Sequence, residues 1–166
     1  MREMAVKVNG AIRRDSIKDN ELLLDFLRDK LEVRSVKAAC WRGECGLCTV
    51  LLNGRLVKSC LVLAVEADGG DVKTVEGISE NGELAPIQKA FVEHGASQCG
   101  FCTPAWVLAS HELLKQNPDP TDEDIEVAVA GLLCRCGTYA QTKEAIHSLS
   151  RPGQRKQLEK PVKSVG

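Results

Sequence analysis

Aromatic side chains are scarce in this 166-residue chain: two Trp, three Phe and one Tyr make up 4% of it. Hydrophobic residues reach 43%, enough for a core. Two small halves built from such a sequence would still have thin cores, which bound metal can supplement. The net charge is −1, and no long basic block precedes position 150, which excludes a nucleic-acid binder. No apolar run approaches the roughly 18 residues of a transmembrane helix. The first residues, Met1-Arg2-Glu3-Met4-Ala5-Val6, lack the apolar stretch and cleavage site of a signal peptide. A soluble, cytoplasmic protein is therefore expected. The three histidines, His94, His111 and His147, are scattered and read as surface or helix-end residues. There is no Ser/His/Asp set, P-loop or dinucleotide fingerprint, so no substrate-binding active site and no catalytic residue are expected on this chain.

Cysteine is what the chain has. Eight in 166 residues is about 5%, below the level of a secreted disulfide scaffold. Without an export signal the default is a reducing compartment, where clustered cysteines read as metal ligands.

The pattern around them divides the chain. Asn9-Gly10 and Asn53-Gly54 are hairpin-turn dipeptides between candidate strands. Leu23, Phe26, Leu27 and Leu31 share a helical face over residues 20–31, with Asp19 or Asn20 as the expected cap. A further strand is predicted over 71–76. Strands, one helix and strands in this order predict a small α+β sheet domain over residues 1–77. Composition changes at 77–83. Beyond it the helical period dominates, giving a second domain over 84–149, a bundle of about four helices. Ile87, Ala90 and Phe91 mark the first, with Gly95 as its stop. Thr103-Pro104 starts the next, which runs to about Gln116. Thr121 with Asp124 resembles a capping box, and the last helix runs from about Thr138 to Leu149. Residues 150–166, rich in Arg and Lys with two prolines, read as a flexible tail. Trp106 is expected in the core. Trp41 reads as a lid over the first cysteine loop or as a partner-facing anchor.

Cys40, Cys45 and Cys48 are separated by four and then two residues, and Cys60 follows after eleven more. C-x4-C-x2-C…C is the plant-type [2Fe–2S] spacing. Three thiolates can come from a loop wrapping the cluster and the fourth from a neighbouring strand. Gly43 and Gly46 supply the unusual backbone angles such a loop needs. Structural zinc sites usually pair two short knuckles instead. The second group, Cys99-x2-Cys102 and Cys134-x-Cys136, is less diagnostic. Both pairs precede helix starts, whose free N–H groups favour an anionic centre, and Arg135 adds positive charge. Four thiolates there suit an iron–sulfur cluster or zinc.

Three ordered motifs carry a resemblance over roughly residues 4–148. Cys40-Trp41-Arg42-Gly43-Glu44-Cys45-Gly46-Leu47-Cys48-Thr49-Val50 resembles the first cluster loop of the small iron–sulfur subunits of molybdenum hydroxylases. These are the relatives of xanthine dehydrogenase, aldehyde oxidoreductase and carbon monoxide dehydrogenase. Gln98-Cys99-Gly100-Phe101-Cys102-Thr103-Pro104 is similar to their second motif, and Cys134-Arg135-Cys136 to their third. The resemblance implies a plant-ferredoxin-like (β-grasp) N-terminal domain and a helical [2Fe–2S] domain. It also implies a large molybdopterin-binding subunit and a medium FAD-binding subunit as partners. By the same resemblance Cys99, Cys102, Cys134 and Cys136 hold the first electron acceptor, nearer molybdenum. Cys40, Cys45, Cys48 and Cys60 hold the second, nearer flavin. Gln98 and Cys136 match positions that approach the pterin. The chain departs from the family pattern in carrying Ala39 and Ala105 where glycine is usual. It also has Leu132 in place of asparagine, and Gly137-Thr138 where Thr-Gly is usual.

The expected function is a relay of single electrons between molybdenum and flavin. A free-standing two-cluster carrier and a zinc-stapled interaction module are the rival readings.

Overall fold

The computed structural model describes residues 1–79 and 81–150. Apart from Ser150, the expected tail therefore lies outside the described residues. Five strands form one mixed sheet in the order β2-β1-β5-β3-β4. They are β1 (Arg2–Val8), β2 (Ala11–Ile17), β3 (Thr49–Leu52), β4 (Arg55–Lys58) and β5 (Asp71–Lys73). β1 runs parallel to β5, while the other pairs are antiparallel. Both Asn-Gly dipeptides make the expected hairpin turns, with Asn9, Gly10, Asn53 and Gly54 all at positive φ. The inward alternation of β1 buries Met4, Val6 and Val8.

The first helix differs from the sequence reading. It is shorter, an α turn Leu23–Asp25 that continues as a π-helix Phe26–Lys30; together they are called α1. Neither Asp19 nor Asn20 caps it. Leu22 is extended and bridges to Leu63, so the first helical N–H, that of Leu23, is taken by the Val62 carbonyl at 2.8 Å. Leu22, an apolar residue, thereby takes the N-cap position and offers no side-chain cap. The wider π turn, with Leu31 N–H donating to Phe26 O, keeps Leu23, Leu24, Phe26 and Leu27 all fully buried under the sheet. β5 also ends early. The Asn9 side chain takes the Thr74 N–H at 2.8 Å and donates to its hydroxyl, which removes Thr74 from the ladder and starts a 3-10 turn, Val75–Ile78.

Four helices follow: α2 (Pro86–Glu93), α3 (Thr103–Gln116), α4 (Asp122–Val129) and α5 (Tyr139–Leu149). Thr121 and Asp124 form the expected capping box of α4. Gly95, at φ +60°, follows the end of α2. Trp106 is buried at the centre and meets Tyr139 edge-on, with ring centroids 5.0 Å apart. No helix among the described residues is long and apolar enough to cross a membrane.

The halves share apolar packing. Cys45, Leu47 and Leu51 belong to the same buried cluster as Ala105, Trp106 and Leu132. The Leu133 N–H donates to the Cys45 carbonyl at 3.0 Å. Gly46, at φ +70°, lies so close to this segment that a Cβ there would stand 2.1 Å from the Gly131 carbonyl oxygen. The hairpin Gly54, at φ +78°, has open space around it.

That contrast makes a prediction for chemical denaturation of the metal-loaded protein. Gly54→Ala pays backbone strain alone, roughly 1–2 kcal/mol. Gly46→Ala adds a main-chain clash to the same strain and should lose about 1–3 kcal/mol more. Equal losses would show that the close approach at Gly131 is not needed.

Candidate metal centres

The loop between α1 and β3 carries Cys40, Cys45 and Cys48, and Cys60 sits on the 3-10 turn Ser59–Leu61 just beyond β4. A turn rather than a strand therefore brings in the fourth thiol. Ser59, fully buried, donates both its N–H and its hydroxyl to the Cys48 carbonyl, at 3.3 and 2.8 Å. Those two hydrogen bonds hold Cys60 beside Cys48. The loop is curled by Trp41 and Gly43, at φ +52° and +77°, and closed by Lys37 N–H on the Leu47 carbonyl.

Main-chain amides turn toward the sulfurs. The Cys45 N–H donates to Cys40 Sγ at 3.5 Å, and with further N–H donors from Arg42 and Glu44 it lowers the Cys40 pKa to about 6. Burial raises Cys60 to about 11, opposed by an N–H from Gly43, and burial likewise pushes Cys45 up. The thiols lie within electrostatic reach of one another: Cys40 acts on Cys45, and Cys48 acts on Cys60. Cys60 also feels the charge of Cys40. The Lys58 ammonium donates to the Gly43 carbonyl at 2.6 Å and reaches across toward Gly131, a contact no spacing rule pointed to. Trp41 is half exposed, and its indole N–H donates to Asp25 at 3.2 Å.

The second group is assembled from both ends of the helical half. Cys102 is the N-cap of α3, and Cys134 and Cys136 lie on the segment that leads into α5. Here too the thiols act on one another, Cys136 and Cys134 on Cys99, and Cys134 and Cys99 on Cys102. Burial raises Cys102 to about 12. Burial also acts on Cys134, but the Thr138 hydroxyl and the N–H groups of Thr138 and Gly137 outweigh it and lower Cys134 to about 7. An N–H from Phe101 lowers Cys99. Cys99 and Cys136 are exposed, as is Gln98, whereas Cys102 and Cys134 are buried. Arg135 is exposed. His94 caps the end of α2, His147 bonds Asp122 at 2.7 Å near the end of α5, and His111 is half-buried, its pKa lowered by that burial.

Four thiols at each site, served by main-chain N–H donors, fit a two-iron group. A tetrahedral zinc draws four sulfurs to one point. Each quartet brings four thiols together, the number that a pair of bridged irons takes. N–H donors on Cys40, Cys60, Cys99 and Cys134 favour the thiolate form that iron binds.

The quartets predict separable losses. Cys45→Ser should remove one low-temperature EPR signal of the reduced protein and leave the other, and Cys134→Ser should remove only the second. Loss of both signals in either variant would contradict the assignment of the eight cysteines to two separate quartets.

Known proteins agree with this geometry. A [2Fe-2S] binding domain model matches residues 74–147, and a 2Fe-2S iron-sulfur cluster binding domain model matches residues 6–75. The nicotinate dehydrogenase small FeS subunit of Eubacterium barkeri is 45% identical over 141 residues, covering 85% of this chain and 90% of that protein. The nicotine 6-hydroxylase small subunit of Paenarthrobacter nicotinovorans is 44% identical over 152 residues, covering 92% and 90%. The crystal structure of quinoline 2-oxidoreductase from Pseudomonas putida 86 superposes with a TM-score of 0.84 at 36% identity, covering 88% of this chain and 90% of the matched one. With a plant-ferredoxin-like sheet, a helical second half and a [2Fe–2S] domain in each, the chain belongs to the small iron–sulfur subunits of the molybdenum hydroxylases.

Proposed function

We propose that this chain relays single electrons from a molybdenum centre on a large molybdopterin-binding subunit to FAD on a medium subunit, within a cytoplasmic complex. Residues 1–77 and 84–149 serve as the two cluster-bearing units. Cys99, Cys102, Cys134 and Cys136 are the ligands at the entry, and Cys40, Cys45, Cys48 and Cys60 those at the exit. When bound, each [2Fe–2S] cluster supplies one-electron chemistry without making or breaking a bond to substrate.

One observation carries the reading. The Leu133 N–H on the Cys45 carbonyl joins the main chain next to Cys134 directly to a cysteine of the other quartet. Around that bridge the cysteines are graded. Cys99 and Cys136 face the surface, Cys102, Cys134 and Cys45 are buried, and Cys40 is half exposed again. Leu132 and Leu47, both buried, exclude water from the junction. Gln98 and Cys136, both exposed, are the residues that would meet a pterin brought by the large subunit. The names of the relatives, both small subunits, support an assembled rather than free-standing protein.

Native mass analysis of the anaerobically purified assembly should find this chain with two larger ones carrying molybdenum and FAD. A lone loaded monomer would instead support a free carrier. Gln98→Ala should slow reduction of the clusters by substrate by about tenfold, the worth of one hydrogen bond, with iron content unchanged. An unchanged rate would remove Gln98 from the proposed contact.

A further inference from the structure

Thr138 occupies the N-cap of α5, where a threonine hydroxyl ordinarily accepts from a first-turn amide. Here it makes no such bond. Its backbone lies at φ −76°, ψ 25°, outside the extended region from which a cap side chain reaches those amides. The residue before it, Gly137, takes φ +83° and makes the reversal that sets this orientation. The hydroxyl turns back instead and lies 3.2 Å from Cys134 Sγ. Thr138 is 2% exposed, so water does not compete for the contact. The Gly137-Thr138 order, reversed from the family pattern the motif resembles, thus places a hydroxyl on a sulfur.

We propose that Thr138 sets the reduction potential of the second cluster, raising it by donating its O–H to Cys134 Sγ. The proposal rests on the reading of Cys134 as an iron ligand. A sulfur bound to iron carries no proton, so the hydroxyl is the donor of this pair. One electron added from dithionite through a mediator makes no bond and breaks none. It adds one negative charge, shared with the sulfurs. A donor aimed at one of those sulfurs stabilises the more negative state more than the less negative one, and burial strengthens the effect. The corresponding sulfurs of the first quartet receive main-chain N–H groups. The side-chain hydroxyl therefore acts on one cluster alone and tilts the balance between the two.

The test is an EPR-monitored redox titration of the intact complex with Thr138→Val and Thr138→Ser. The valine variant should keep both signals. At a fixed poise the reduced-to-oxidised ratio of the second cluster should fall about tenfold, equal to about 59 mV for one electron, with the first cluster unmoved. The serine variant should stay near the parent. The proposal is overturned by an unmoved second potential, by equal shifts at both clusters, or by a serine variant that behaves like valine. If valine prevents iron loading, Thr138→Ala is compared with Thr138→Ser, and equal potentials for those two overturn it likewise. A parent protein that gives no cluster signal would instead refute the ligand reading itself.

Discussion

Four sulfurs gathered in one place repel one another as soon as they lose their protons, and burial makes each charge harder to hold. Hydrogen-bond donors around the two quartets ease that conflict. The first loop bends through Trp41 and Gly43 so that amides of Arg42, Glu44 and Cys45 point at Cys40, and the Gly43 amide points at Cys60. The second site uses the segments leading into two helices for the same purpose, with Phe101 serving Cys99, and Gly137 and Thr138 serving Cys134. Where amides are few, burial wins, and Cys60 and Cys102 sit well above the ordinary thiol range. Iron then supplies the positive charge that the protein does not, which couples metal loading to folding.

The second constraint is closeness of the two sites. A relay works only if its stations approach one another, and side chains between them would hold them apart. Gly46 against Gly131 lets two main chains come together with nothing between, and the Leu133–Cys45 hydrogen bond fixes their register. Leu47, Leu51 and Leu132 seal the contact as part of one apolar cluster that spans both halves. Lys58 adds a cation at the same junction, held by the Gly43 carbonyl and close to Gly131. The scarcity of aromatics in the sequence is consistent with this design. The helical half relies on Trp106 against Tyr139, and the sheet half on aliphatic packing over Phe26.

Much of this was legible beforehand because it is local. The Asn-Gly turns, the Thr121–Asp124 box and the spacing of Cys40, Cys45 and Cys48 each act within a few residues, so the sequence displays them directly. The misses have one physical origin, which is partners distant in the chain. Leu22 is extended because Leu63 pairs with it, which defeats a cap at Asp19 or Asn20. Thr74 leaves β5 because Asn9 binds it. A period of 3.6 marks the apolar face of α1 but cannot disclose its π turn, since Leu23, Phe26 and Leu27 are buried in either form. At the sites, Gly46 was readable as a residue of unusual backbone angle, and its closeness to Gly131 was not. The Gly137-Thr138 reversal was visible as a departure. Its consequence, a hydroxyl on Cys134, required the fold.

Two bridged iron pairs held by eight thiolates are the claim on which the relay, the potentials and the partners all depend. Iron and acid-labile sulfide analysis of the anaerobically isolated chain tests it most directly. Four irons and four sulfides per chain are expected, in coloured protein. Colourless protein holding about two zinc ions and no sulfide would contradict the account.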